Sequence, residues 1–93
     1  MIHPSVRPRL ARKVKLRFDR RSGKYLLLVP EKGLVLNRTA SAVARLCTGE
    51  YSVDSIIEQL IEEHADAPRQ QIETEVLSFL QSLDDRGLLE VSP

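Results

Sequence analysis

Leu34 to Leu60 read LVLNRTASAVARLCTGEYSVDSIIEQL, and this stretch decides the fold: a short apolar strand runs into a capped helix, a glycine stop and a second capped helix. After Leu34, Val35 and Leu36, residues Asn37, Arg38 and Thr39 bend the chain and supply a side-chain oxygen for the unpaired N–H groups of a first helical turn. Val43 and Cys47 then fall one turn apart, with Ala40, Ala44 and Leu46 beside them, and Gly49 suits the left-handed conformation that ends a helix. Ser52 caps the next helix, where Ile56 pairs with Leu60 and Ile57 with Ile61, while Glu58, Glu62 and Glu63 point elsewhere. Almost nothing in the stretch is reactive. It builds a scaffold, and function must come from what the scaffold displays.

Toward the N-terminus, Val14, Leu16 and Phe18 alternate with Lys15 and Arg17, the period-two signature of a strand with one buried face. Asp19 to Gly23 turns the chain, and Tyr25 to Val29 is an apolar run suited to a central strand covered on both faces. Pro30, Glu31, Lys32 and Gly33 make a hairpin loop before the third strand, Leu34 to Leu36. Residues 3–11 are rich in proline and arginine and lack periodicity, so residues 1–12 read as an extended arm, flexible or exchanged between copies. Toward the C-terminus, Asp66 and Pro68 mark a third helix whose Ile72, Val76, Phe79, Leu80 and Leu83 share one face. Gly87 stops it, and Leu88 to Val91 either adds a short strand or packs as an extended tail. The predicted class is α+β, winged helix-turn-helix-like: a three-stranded antiparallel sheet followed by a three-helix bundle, in one domain over residues 1–93.

Ninety-three residues hold one core but not separate cofactor and substrate lobes. No apolar run is long enough to span a membrane, and the basic N-terminal stretch lacks the apolar region of a signal peptide, so a cytoplasmic chain is expected. Cys47 is the single cysteine and reads as a small buried apolar residue; His3 and His64 show no metal-ligand spacing. Adjacent Asp84 and Asp85 diverge on a helix, and the four glycines are isolated rather than gathered into a phosphate-cradling loop. No catalytic residue, metal site or cofactor site is expected, and the chain does not read as an enzyme.

The net charge of +1 conceals a division. Residues 1–25 carry nine basic groups against Asp19, whereas residues 26–93 carry five against twelve acidic ones. Two readings stay open: the basic hairpin lies over the acidic helices, or it meets a partner. A winged-helix architecture raises DNA binding as an alternative, but residues 52–86 hold only Arg69 and Arg86 against nine acidic groups, a surface that repels phosphate. No nucleic-acid or membrane partner is expected. The first strand of the meander protects its open edge with Lys15 and Arg17, while Gly33 to Leu36 carry no charge. An extended peptide fits that third-strand edge, against the third helix; the N-terminal arm, Leu88 to Val91 or a second copy of the chain would cover it equally well.

The run LLLVPEKGLVLNRTASAVARLCTGEYSVDSIIEQL resembles the PqqD family of pyrroloquinoline quinone biosynthesis. The features that carry the resemblance are Pro30-Glu31, Leu36-Asn37, Ala40, Leu46-Cys47 with Gly49, and Gly87-Leu88, in that order and spacing. The resemblance implies a non-catalytic peptide chaperone that binds the ribosomal precursor peptide PqqA and presents it to the radical SAM enzyme PqqE. It implies a peptide site at Leu34, Val35 and Leu36 on the third strand and at Ile72, Glu75, Val76 and Phe79 on the third helix. It also implies self-association, so a homodimer is expected. A recognition domain for another ribosomal peptide pathway is the neighbouring alternative.

Overall fold

Eight elements make up the computed structural model, which describes residues 2–29 and 32–92. In chain order they are β1 (Arg7–Leu10), β2 (Lys15–Asp19), β3 (Lys24–Val29), β4 (Lys32–Leu36), α1 (Arg38–Leu46), α2 (Val53–Glu63), α3 (Arg69–Asp85) and β5 (Leu89–Ser92). The antiparallel sheet β2-β3-β4 with β3 in the middle, followed by three helices, is the architecture that the sequence predicts.

Turn chemistry closes the β2–β3 hairpin: the Asp19 carbonyl accepts the Gly23 N–H at 2.8 Å, and Gly23 takes a φ of 70°. The Asp19 carboxylate accepts Ser22 Oγ–H at 2.9 Å and the Arg21 N–H at 3.2 Å, which lowers its pKa, the serine contributing most. One face of the sheet carries Val14, Leu16, Tyr25, Leu27, Leu34 and Leu36, which belong to the core or pack against it. Burial fades toward the β2–β3 turn, from Val14 in the core just before β2 to Phe18, which is 49% exposed and meets Tyr25 edge-to-face at 5.1 Å.

Each helix starts as its sequence dictates. Asn37 Oδ1 accepts the Ala40 N–H at 2.8 Å, and Ser52 Oγ accepts the Ser55 N–H at 3.1 Å. Pro68 occupies the N-cap of α3 without a side-chain bond. Val43, Val53, Ile56, Leu60, Ile72, Val76, Leu80 and Leu83 interlock where the three helices meet. At the end of α3, Gly87 takes a φ of 70°, and the Leu88 N–H reaches back to the Leu83 carbonyl at 2.8 Å.

Three readings change. Residues 7–10 form strand β1 rather than a loose arm: Arg7, Pro8, Arg9 and Leu10 pair with Ser92, Val91, Glu90 and Leu89. On its other side β1 meets the turn after α1, where Leu10 N–H donates to the Cys47 carbonyl at 3.1 Å and Gly49 N–H to the Pro8 carbonyl at 3.0 Å. Proline has no N–H to satisfy, so Pro8 is tolerated there and is fully buried. The third strand also begins two residues earlier than predicted, because Lys32 and Gly33 pair with Val29 and Leu28. The edge is therefore not free of charge; Lys32 stands at its start. Pro30 and Glu31 lie outside the described residues. Third, α1 ends at Leu46 and leaves Cys47 as its C-cap, still buried.

Candidate functional site

The sheet has two edges, and β4 is the one beside the helices' chemistry. Among the described residues no strand pairs with its outer side, so the main-chain groups pointing away from β3 are open to an added strand. Its side chains alternate: Leu34 packs against the core, Val35 is 63% exposed, and Leu36 is buried. Leu34 and Leu36 therefore fix β4 to the core, while its outer main-chain groups remain available.

Directly after Leu36, the N-terminal turn of α1 faces α3 across a recess of about 350 Å³ lined by Asn37, Thr39, Ala40, Glu75, Ser78, Phe79 and Ser82. The recess exists because Ala40, buried beside the N-cap, gives no bulk to fill it, and because Phe79 lies at the flank of the α3 core face rather than at its centre. Its wall offers an aromatic ring, one carboxylate and two serine hydroxyls, a set that can hold side chains but has no nucleophile–base pair.

The seven residues assigned from the sequence thus divide. Leu34, Val35 and Leu36 form the edge, and Glu75 and Phe79 line the adjoining recess. Ile72 and Val76 do not: they are 2% and 0% exposed, locked into the helical core, and offer no surface in this conformation. Asn37, Thr39, Ala40, Ser78 and Ser82, which the sequence reading did not place there, also line the recess. For Ser78 and Ser82, helical spacing was signal enough, since each lies one turn from Glu75 or Phe79.

Cys47 and His64 are both buried. Burial pushes the Cys47 thiol up to about 12, the opposite of an activated nucleophile. His64, at the C-cap of α2, donates Nδ1–H to the Leu60 carbonyl at 3.0 Å, a structural bond that the sequence did not reveal. Among the described residues no group of three or more His, Cys, Asp and Glu is placed to hold a metal ion, and no helix is long and apolar enough to cross a membrane.

Residues 24–89 match the family model described as coenzyme PQQ synthesis protein D (PqqD). The chain is 41% identical over 88 residues to the PqqA binding protein of Bradyrhizobium diazoefficiens, covering 95% of this chain and 84% of that one. It is similar in structure to the PqqD part of Methylobacterium extorquens PqqCD, described as a functional, stand-alone recognition element for ribosomally synthesized and post-translationally modified peptides. There the TM-score is 0.77 at 37% identity, with 97% of this chain and 95% of that one covered. The lasso peptide synthetase B1 complexed with the leader peptide shares the fold, with a TM-score of 0.72 at 19% identity over 90% of this chain and 98% of that one. Sequence, family model and architecture agree, and the chain belongs to the PqqD family.

Proposed function

We propose that this chain binds PqqA, the ribosomal precursor peptide of pyrroloquinoline quinone biosynthesis, as an added strand on β4 and presents it to the radical SAM enzyme PqqE. The chain itself catalyses nothing and carries no cofactor. The observation that carries this reading is the unpaired β4 edge continuing into the recess at Glu75 and Phe79. The Bradyrhizobium relative named for PqqA binding and the Methylobacterium recognition element support it.

A peptide on this edge gains sequence-tolerant affinity from main-chain hydrogen bonds, and selectivity from alternate side chains set against Val35 and the recess. The precursor is made on the ribosome, so delivery takes place in the cytoplasm. Homodimer formation through β4 would use the same main-chain groups, and peptide and dimer would then compete.

Titration of isotope-labelled protein with PqqA tests the site. Chemical-shift changes are expected at Gly33 to Leu36 and at Glu75, Ser78 and Phe79; changes confined to other elements would overturn it.

A further inference from the structure

A second recess, of about 440 Å³, lies between the start of β3, α1 and the end of α2. It is on the opposite side of α1 from the first: helical spacing puts Arg38, Ser41, Ala42 and Arg45 on the face that lines it, and Thr39 and Ala40 on the face that lines the other. Asn37, which follows the last residue of β4, borders both recesses. Lys24, Arg38 and Arg45 bring positive charge to the second one, against Glu63. Among the described residues none of these four groups forms an ion pair; the ion pairs present both involve Arg69. Arg45 lies over the half-buried Tyr25 ring, 5.7 Å from its centroid, which restrains the guanidinium beside the recess.

His64 makes this more than a cationic surface. It is only 6% exposed, and it lines the recess. A carbonyl can only accept, so the bond to Leu60 places the proton of the neutral ring on Nδ1 and leaves Nε2 as an acceptor. Among the described residues Nε2 has no hydrogen-bond partner, and no buried side-chain nitrogen or oxygen is both sealed from solvent and unpaired. Nε2 therefore opens on the recess. A deep acceptor is combined with exposed cations at the rim.

We propose that this second recess anchors an acidic residue of the bound peptide, in the segment that continues past the strand on β4. This rests on the peptide-binding reading above and extends it. An aspartate or glutamate within a chain supplies both complements at once: its carboxylate meets Arg38, Arg45 and Lys24, and its backbone N–H donates to His64 Nε2. A bare carboxylate ion or a phosphodiester carries no donor, and would leave that buried acceptor unmatched. Glu63 further disfavours a run of phosphates. The anchor also solves a problem that strand addition leaves open. Main-chain bonds to β4 are the same for every residue of the peptide, so they do not fix its register. Glu75 is the charged residue lining the first recess, whereas cations predominate in the second. A peptide that sets an acidic residue among Arg38, Arg45 and Lys24 is held in one register, and a slipped one loses that contact.

The test titrates isotope-labelled wild type and the double variant Arg38→Ala/Arg45→Ala with PqqA, and with PqqA in which each Asp and Glu is replaced in turn by Asn or Gln. Both arginines are exposed, so the variant is expected to melt close to wild type. In wild type, PqqA is expected to shift Tyr25, Arg45 and His64 as well as Gly33 to Leu36. The double variant should bind PqqA about tenfold more weakly, with the shifts at Gly33 to Leu36 retained. One amide replacement in the peptide should weaken binding to wild type by a similar factor and leave binding to the double variant unchanged, which identifies the anchored residue. Equal affinity of wild type and variant, or no peptide carboxylate coupled to the arginines, overturns the anchor and leaves peptide binding at β4 standing. Absence of PqqA binding by wild type overturns both. N-acetylglutamate amide and inorganic phosphate, each titrated without peptide, separate the sources of the anion. If either shifts His64 while saturating PqqA does not, the recess belongs to a free anion and the anchor falls.

Discussion

Cys47 shows how much a single position can reveal when its surroundings are known. Its neighbours on α1 mark it in the sequence as a small apolar residue, and the structure buries it to 4% exposure under β1. A thiolate there would sit among apolar side chains, so burial pushes the thiol from its ordinary 9.0 up to about 12. The sign of the linkage follows. Below about pH 9 both folded and unfolded chains keep the proton; above it the unfolded chain loses a proton that the folded one retains, and stability falls until about pH 12. Urea denaturation at a series of alkaline pH values is expected to show wild type losing stability more steeply than Cys47→Ala, and parallel curves would refute the burial argument. Gly87 is a conformational counterpart. With φ at 70° and nothing within 4 Å of a Cβ built there, Gly87→Ala meets no steric neighbour and suffers only left-handed strain. The expected destabilisation is about 1 kcal/mol by thermal or urea melting. His64 was not legible in this way, because its bond to the Leu60 carbonyl depends on where the C-cap of α2 turns.

At the scale of elements, the sheet β2-β3-β4 and the three helices were readable because period-two and helical patterns, caps and glycine stops all agreed locally. The same periodicity that identified α3 concealed its division of labour. Ile72 and Val76 lie on the stripe that enters the core, whereas Glu75 and Phe79 lie toward its edge, and a spacing pattern does not say where a stripe ends. The distinction is measurable. Ile72→Ala and Val76→Ala are each expected to cost about 2–4 kcal/mol of folding stability, with peptide affinity unchanged wherever the variants remain folded. Phe79→Ala, which truncates a ring only partly buried at the flank of the core, should cost less stability than either, and lower peptide affinity by about tenfold, as when an interface aromatic is truncated. Equal loss of peptide affinity in folded Val76→Ala would return that residue to the binding site. Strand β1 escaped the sequence reading for a different reason. Its partners lie in residues 47–49 and 89–92, far along the chain, and the Pro8 that makes RPRL look irregular is compatible with pairing because no N–H is required of it.

At the scale of the whole molecule, the N-terminal segment joins parts that would otherwise meet only through the helical core. The Pro4 and Val6 carbonyls accept the Asp54 and Val53 N–H groups at 3.1 and 3.0 Å, satisfying donors that the first turn of α2 leaves open. Pro8 and Leu10 bind the turn after α1, and the Ala11 N–H reaches the Leu88 carbonyl at 2.9 Å beside β5. Ile2 and Pro8 are buried along this path. Deleting residues 1–10 removes all of those bonds except that of Ala11, uncovers Cys47 and Val53, and leaves β5 without a partner strand. At about 1 kcal/mol per hydrogen bond plus the lost apolar burial, the loss comes to about 5 kcal/mol, a large share of the stability of a chain this size. The deletion variant is expected to unfold at a much lower urea concentration than the full chain, or to fail to fold. Hydrogen exchange on the intact protein gives an independent reading. The Leu10 and Ala11 amides should be protected to a degree comparable with the α2 core, whereas a loosely attached arm would exchange them at the rate of an unstructured peptide. Fast exchange at both amides, with an unchanged urea midpoint in the deletion variant, would show that the segment adds little to the folded state.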